Sequence, residues 1–141
     1  MKVLLLNLLA LLLGAVVGGF VNIAIVNAGP HIIPLPEGAD VSTMEGLRDS
    51  MALFTPINFL CPFLAHALGT LTGAFVAAKV AASHHVKCAL GIGLFFLVGG
   101  ITAISMLGGP LWFNAVDLLL AYIPMAYLGA MLAGRTRRRT E

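Results

Sequence analysis

Charged residues are scarce in this sequence. The 141 residues include 8 Lys and Arg and 6 Asp and Glu, together 10% of the chain, whereas 60% of the residues are hydrophobic. A soluble domain of this length needs more polar surface to cover its core, and a disordered chain has the opposite composition. The mean hydropathy of +1.01 therefore predicts an integral membrane protein, with membrane lipids as partners and no nucleic acid.

Cysteines and catalytic motifs are also few. Cys61 and Cys88 should lie near opposite faces of the membrane, about 25 to 30 Å apart along the helix axes, which excludes a disulfide between them. The sequence contains no H-E-x-x-H, no G-x-S-x-G and no P-loop. We therefore predict no catalytic residue and no metal site; an enzymatic role is disfavoured but stays open, and no cofactor can be named.

Long apolar runs dominate what is present. Each is close to the roughly 20 residues that cross a bilayer as a helix, and none alternates as a barrel strand does. The fold class is thus an all-α polytopic membrane protein, a four-helix transmembrane bundle forming one domain over residues 1–141. Turn-forming sequences, "NAGP", "PLPEG", "SHHVK" and "LGGPLW", separate the spans, which we place at about 3–26, 57–80, 86–107 and 111–133.

The positions of the basic residues predict the orientation. With four spans, Lys2, Lys79, Lys87 and the tail 134–141 all fall on one side. The other side carries the acidic loop 28–56, in which Arg48 is the single basic residue. Because Lys and Arg favour the cytoplasmic side, we expect both termini in the cytoplasm and the loop on the outer side of the membrane.

Residues 1–28 also have features of a cleavable secretory signal, with Lys2, a leucine-rich core and "VNA" before the possible cleavage site. The apolar run exceeds the roughly 7 to 15 residues of such a core. We therefore expect this segment to remain as the first span.

The outer loop is predicted to contain a short amphipathic helix. "STME" at 42–45 fits a capping box, and an apolar stripe follows at helical spacing, formed by Met44, Leu47, Met51 and Phe54. Such a helix either packs on the surface as a connector, which is the simpler interpretation, or covers the bundle as a lid.

The second span carries a histidine among small residues, in "PFLAHALGTLTGAF". Helical spacing places His66 on the same face as Gly69 and Gly73. Such a G-x-x-x-G face packs against another helix, so His66 should point into the bundle. Gly14 and Gly18 form a second G-x-x-x-G pair, and all four glycines are predicted helix-packing residues.

The fourth span supplies an acidic partner, Asp117. His66 and Asp117 should lie in the outer half of the membrane together with three amides, Asn22, Asn58 and Asn114. This asymmetry predicts a polar cavity that opens outward, with an Asp117–His66 hydrogen bond at its wall. The pair either ties two helices together or binds an ion, a proton or a small ligand, the second being the common role of ionisable groups in membranes.

The segments "PFLAHALGTLTGAF" and "PLWFNAVDLLLAYIPMAYLG" resemble short, uncharacterised four-span proteins of bacterial inner membranes. The resemblance covers most of the chain. It implies the four-span fold and the membrane location, and no activity.

Function is predicted from these features in order of preference. The first hypothesis is a non-enzymatic accessory or scaffold subunit, acting as a homo-oligomer or with other membrane subunits. The second is a small transporter or channel that uses His66 and Asp117. A membrane enzyme acting on lipid or quinone is a third. The basic tail should contact lipid headgroups through Arg135, Arg137, Arg138 and Arg139.

Overall fold

The computed structural model describes the backbone of residues 1–138 and the side chains of residues 1–135. Every regular element in this part of the chain is helical: α1 (Lys2–Ile32), α2 (Met44–Ser50), 3-10 turns at Met51–Leu53 and Pro56–Phe59, α3 (Leu60–Val80), α4 (His85–Leu107), α5 (Leu111–Leu120) and α6 (Ile123–Arg138). Four segments are long and apolar enough to cross a membrane. The all-α class and the count of four candidate spans are therefore confirmed.

The first helix continues beyond its predicted end. We expected "NAGP" at 27–30 to stop it, but α1 runs to Ile32 with Pro30 inside. Proline removes only the hydrogen bond to the carbonyl of Val26, and the bond that ends the helix, from the Ile33 N–H to the Gly29 carbonyl, is made at 2.8 Å. Gly29 is buried against Cys61 of α3, so packing holds this last turn in place.

The fourth span is two helices instead of the single predicted one. α5 ends at Leu120, and α6 begins at Ile123. Pro124 explains the interruption, because it has no N–H to give to the carbonyl of Leu120 and its ring clashes with that carbonyl. The break places Ala121 and Tyr122 in a turn inside the bundle, where both are buried.

The bundle has two distinct ends. At one, the terminal end, Ala10 of α1, Ala81 after α3 and Ala133 of α6 share one buried cluster. At the other, the loop end, lie residues 33–59 and the short α4–α5 turn. Gly108 and Gly109 of that turn have φ of 76° and 99°, a conformation that glycine adopts without strain.

Glycine pairs bring α1 and α3 into backbone contact. A Cβ atom on Gly14 would lie 2.6 Å from the carbonyl oxygen of Gly73, and one on Gly18 would lie 2.6 Å from that of Gly69. The four predicted packing glycines therefore face each other in two pairs within one bundle. The rest of the core is built largely from alanine, which permits the same close approach between the other helices.

The loop at 33–59 contains the short helix α2. Its N-cap is Thr43, whose side chain accepts a hydrogen bond from the Gly46 N–H at 3.0 Å. This corrects the capping box read from "STME", in which Ser42 would be the cap. Ser42 instead donates its N–H and O–H to the carboxylate of Asp40, and these two bonds lower the pKa of Asp40.

Candidate functional site

A carboxylate, an imidazole and a phenol meet between α3 and the break in the fourth span. His66 Nδ1 donates to Asp117 at 2.8 Å from Oδ1 and 3.0 Å from Oδ2. The hydroxyl of Tyr122 donates to Oδ2 at 2.9 Å. The predicted Asp117–His66 hydrogen bond is thus present. Tyr122 was not predicted as its third member.

Asp117 and Tyr122 are the buried members of this triad. The side chain of Asp117 is 2% exposed, against 24% for His66. An ionised carboxylate can only accept hydrogen bonds, so in that form of Asp117 the two donors satisfy its buried charge and the Nδ1 atom of His66 carries a proton. Within the described residues, His66 Nε2 has no hydrogen-bond partner, so this nitrogen is the one left for a ligand.

Tyr122 reaches Asp117 because the helix is broken. Residues five apart on a continuous helix point to different faces, so sequence spacing gave no reason to pair Tyr122 with Asp117. The phenol ring stacks on the imidazole with centroids 5.7 Å apart. It also lies on Gly100 of α4, where any Cβ would collide with the ring. The position of Tyr122 therefore depends on Pro124, which interrupts the helix, and on Gly100, which leaves room for the ring.

A cavity of about 360 Å³ extends from the loop end of the bundle to this triad. This volume falls in the roughly 300–1,000 Å³ range of small-molecule sites. Its deepest lining residues, judged by their positions along the helices, are His66, Gly100 and Asp117. The wall above them is mainly apolar, which corrects the expectation of a polar cavity: the polar groups are concentrated at its inner end.

Two of the three predicted amides line the cavity, and the third lies at a helix interface. Asn58 and Asn114 line the cavity, but both are engaged in local structure. Asn58 accepts from the Thr55 N–H at 2.9 Å and donates to the Pro34 carbonyl at 3.2 Å. Asn114 donates weakly to the carbonyls of the glycine turn. Asn22 packs against Gly69 on the α1–α3 interface and does not line the cavity.

The loop covers the cavity with apolar side chains. Leu47 of α2, Met51 of the following 3-10 turn and Phe54 all line it, whereas Met44, the first residue of the predicted stripe, is 54% exposed. Three of the four stripe residues therefore face the cavity.

The described part of the basic tail lies at the terminal end, away from this site. Arg135 is exposed near the end of α6. The side chains of Arg137 and Arg138, and the whole of Arg139, lie outside the described part of the chain. Headgroup binding by these four residues stays a prediction. In residues 1–135, no group of three or more metal-binding side chains occurs.

No protein-family model, curated protein or solved structure matches this chain. Its function must therefore be argued from the cavity and the triad alone.

Side-chain hydrogen bonds join two elements at the end of the bundle opposite the cavity. Asn7 of α1 accepts from the Ala82 and Ser83 N–H groups at 3.0 and 3.2 Å and donates to the Ser83 hydroxyl at 3.0 Å. These bonds fasten α1 to the α3–α4 turn. Between Asn7 and the triad lie the Gly14–Gly73 and Gly18–Gly69 contacts, which leave no space between the two helices.

Proposed function

We propose that this chain is a small solute transporter of a bacterial inner membrane, in which His66 and Asp117 form a proton-binding substrate site. In this placement both termini are cytoplasmic and the cavity opens outward. The charge distribution supports the orientation: Lys2, Lys79 and Lys87 lie toward the terminal end, and the loop end carries Arg48 among four acidic residues.

The observation that carries the proposal is a buried carboxylate, held by a histidine, in the wall of a ligand-sized cavity. A helix tie needs neither a cavity nor a titratable pair, since a Ser or Asn contact performs it with less desolvation. Ionisable side chains inside membranes are rare and mark ion, proton or substrate pathways. The His66–Asp117 pair fits that pattern because it combines burial with access from one end.

The arrangement gives each residue a definite task. Asp117 accepts from Nδ1, which fixes the imidazole orientation and leaves Nε2 directed to take or give a proton. Tyr122 holds the carboxylate from the other side. An imidazole can take up or release a proton at Nε2 while Nδ1 stays hydrogen-bonded, so the site can change its charge when a solute binds.

Two further features suit transport. The cavity ends at the triad, below which α1 and α3 are in backbone contact and Asn7 joins α1 to the α3–α4 turn, as expected for a carrier open to one side. The α5–α6 interruption lies beside the site. Discontinuous helices at the binding site are common in secondary transporters, where irregular backbone is tolerated next to a cavity.

Proton flux in vesicles tests this function. Purified protein is reconstituted into neutral-lipid vesicles with an entrapped pH dye. A panel of small amphiphiles of matched chain length, cationic, neutral and anionic, is then added outside. We expect at least one probe to drive a proton flux that Asp117→Asn and His66→Ala abolish. Thr102→Ala, an exposed position whose hydroxyl bonds only to its own helix at 2.8 Å, is the matched control.

A flux that survives both site substitutions, or no flux with any probe, would contradict the proposal. The hypothesis of an accessory or scaffold subunit then becomes the better one, especially if the same variants change the assembly state on gel filtration. No specific observation favours the lipid or quinone enzyme, which stays a prediction.

A further inference from the structure

The charges around the cavity favour one sign of ligand. Within the described residues, its lining includes the Asp117 carboxylate and no Lys or Arg. Arg48, the basic residue of the loop, does not line it but lines a neighbouring pocket that shares Met51 and Phe54 with the cavity wall. An anionic solute would place a second negative charge beside the buried Asp117 carboxylate, with no Lys or Arg in the lining to balance it, which is unfavourable in a low-dielectric site. A cationic solute would instead be attracted by the Asp117 carboxylate.

The net charge of the triad depends on whether His66 is protonated. The titratable groups that face it are Asp117 of α5, Tyr122 of the break and Cys61, which shares the cavity wall. The loop and α1 contribute uncharged side chains to this wall. With the phenol and thiol neutral, the site has no net charge when the His66–Asp117 pair carries its exchangeable proton or when a cation lies beside the Asp117 carboxylate. A buried site favours these two neutral states over a net charge of either sign.

We propose, building on the transport function above, that the substrate is a small cationic amphiphile exchanged for one proton at His66. The cation enters beside the carboxylate while Nε2 of the imidazolium releases its proton to water. No covalent bond forms or breaks, and the site stays neutral: imidazolium and carboxylate become neutral imidazole, carboxylate and bound cation. Nδ1 keeps its proton and its hydrogen bond to Asp117 throughout.

The rest of the cavity accommodates an apolar body. Phe54, Phe59 and Phe113 line the wall above the triad, and the rings of Phe59 and Phe113 lie 4.7 Å apart. Aromatic faces attract cations and pack against hydrocarbon. A head group at His66 with an alkyl or aromatic tail pointing toward the loop end uses both parts of the lining.

Calorimetry in neutral-lipid nanodiscs tests the exchange. Octyltrimethylammonium, octanol and octylsulfonate share one chain and differ in head charge. Each is titrated, below its micelle-forming concentration, into wild-type protein and into empty nanodiscs. Buffers of different ionisation enthalpy report how many protons leave the site. We expect saturable binding of the ammonium, release of about one proton per cation at low pH, and affinity that rises about tenfold per pH unit until His66 is deprotonated.

Substitutions of His66 and Asp117 distinguish proton exchange from a purely structural role of this pair. His66→Gln should bind octyltrimethylammonium with pH-independent affinity and release no proton, because the carboxylate remains and the exchanging proton is gone. Asp117→Asn should lose the preference for the cation, and Thr102→Ala should behave as wild type. Gel filtration and thermal unfolding establish that each variant is folded. His66→Gln remains informative where Asp117→Asn does not fold.

The outcomes distinguish this inference from the function on which it rests. Preferential binding of octylsulfonate or octanol at the site overturns the cation assignment and leaves a solute site in place. So does ammonium binding without proton release, or a pH dependence that persists in His66→Gln. Absence of saturable binding by all three probes, together with no flux in vesicles, contradicts both proposals.

Discussion

At the scale of single residues, the arrangement is organised around Asp117. Its carboxylate is almost fully buried and accepts hydrogen bonds from His66 and Tyr122. A carboxylate in this position is tolerated only because both donors reach it. The three side chains are therefore energetically coupled, and removing one changes what the others contribute.

A double-mutant cycle measures that coupling. Tyr122→Phe keeps the ring against His66 and Gly100 and removes one hydrogen bond, so unfolding should become easier by about 0.6 to 1.7 kcal/mol, the range for such bonds in membrane proteins. In an Asp117→Asn background the same change should have a smaller effect, because Asn is a weaker acceptor. Unfolding in detergent by denaturant titration gives both values. Equal losses in the two backgrounds would show that the phenol does not act through Asp117.

The sequence predicted part of this site. His66 and Asp117 could be paired because each lies among small residues on a helical face, and their depths along two spans were similar. Tyr122 could not be predicted, since its position depends on an interruption that Pro124 introduces. The roles of the amides were harder to predict. Asn58 hydrogen-bonds to Thr55, and Asn114 to the glycine turn. No sequence pattern distinguishes such structural contacts from ligand binding.

At the scale of elements, close helix contact depends on glycine at particular positions. Gly73→Ala would place a Cβ atom 2.6 Å from the Gly14 carbonyl oxygen, which forces α1 and α3 apart. We expect a loss of about 1 to 3 kcal/mol in unfolding free energy. Gly19→Ala on α1 is the matched control, because nothing lies within 4 Å of its Cβ position. It should be neutral or stabilising by up to about 1 kcal/mol. Similar losses in both variants would exclude backbone contact as the cause.

The loop that covers the cavity has its own hydrogen-bonded core. Asp40 accepts from Ser42, and its backbone N–H donates to the Ser50 hydroxyl at 2.8 Å. The pKa of Asp40 is lowered by the Ser42 side chain first and its N–H second. The carboxylate thus stabilises the loop above the pKa it has in the unfolded loop, and this contribution disappears as the pH falls through the lower folded-state pKa.

Hydrogen exchange tests the loop prediction. After correction for intrinsic rates, the amide protons of α2 should lose protection when the pH falls through the acidic range of Asp40. Ser42→Ala should raise the pH at which this happens, since it removes the larger cause of the shift. Protection that is independent of pH in both proteins would contradict a role for Asp40.

The boundaries of the helices were predicted less well than the number of spans. The four apolar runs predicted four spans, because length and composition alone decide them. The end of α1 and the break at Ala121 were missed for opposite reasons. The helix continues through Pro30 because Gly29 packs on α3. At Pro124 the helix is interrupted, and the fourth span is divided in two. Tertiary contacts, which the local sequence does not contain, decide between these outcomes.

At the scale of the whole molecule, the two ends of the bundle differ in charge and in packing. The terminal end is basic and is where Asn7 joins α1 to the α3–α4 turn, and the loop end is acidic and contains the cavity. α1, at 31 residues, is about 46 Å long and exceeds the roughly 30 Å hydrocarbon thickness. In the proposed membrane placement it must therefore tilt or project beyond the bilayer.

Reporter fusions test the orientation. A fluorescent protein that folds only in the cytoplasm should be bright at either terminus. Alkaline phosphatase inserted after Gly38, in the loop, should be active because that side is predicted to be extracytoplasmic. An active phosphatase at either terminus would contradict the assigned orientation and would place the cavity on the cytoplasmic side.

The central claim is that His66 presents a free ring nitrogen to a solute while Asp117 holds the other. Nitrogen NMR of histidine-labelled protein in nanodiscs tests it most directly, with His66→Gln assigning the signal. We predict that Nδ1 of His66 stays protonated and hydrogen-bonded at every pH at which the protein is folded, and that octyltrimethylammonium shifts the Nε2 resonance toward that of neutral imidazole. An Nε2 resonance unchanged by the ammonium and by its neutral and anionic analogues, in protein that remains folded, would contradict the account.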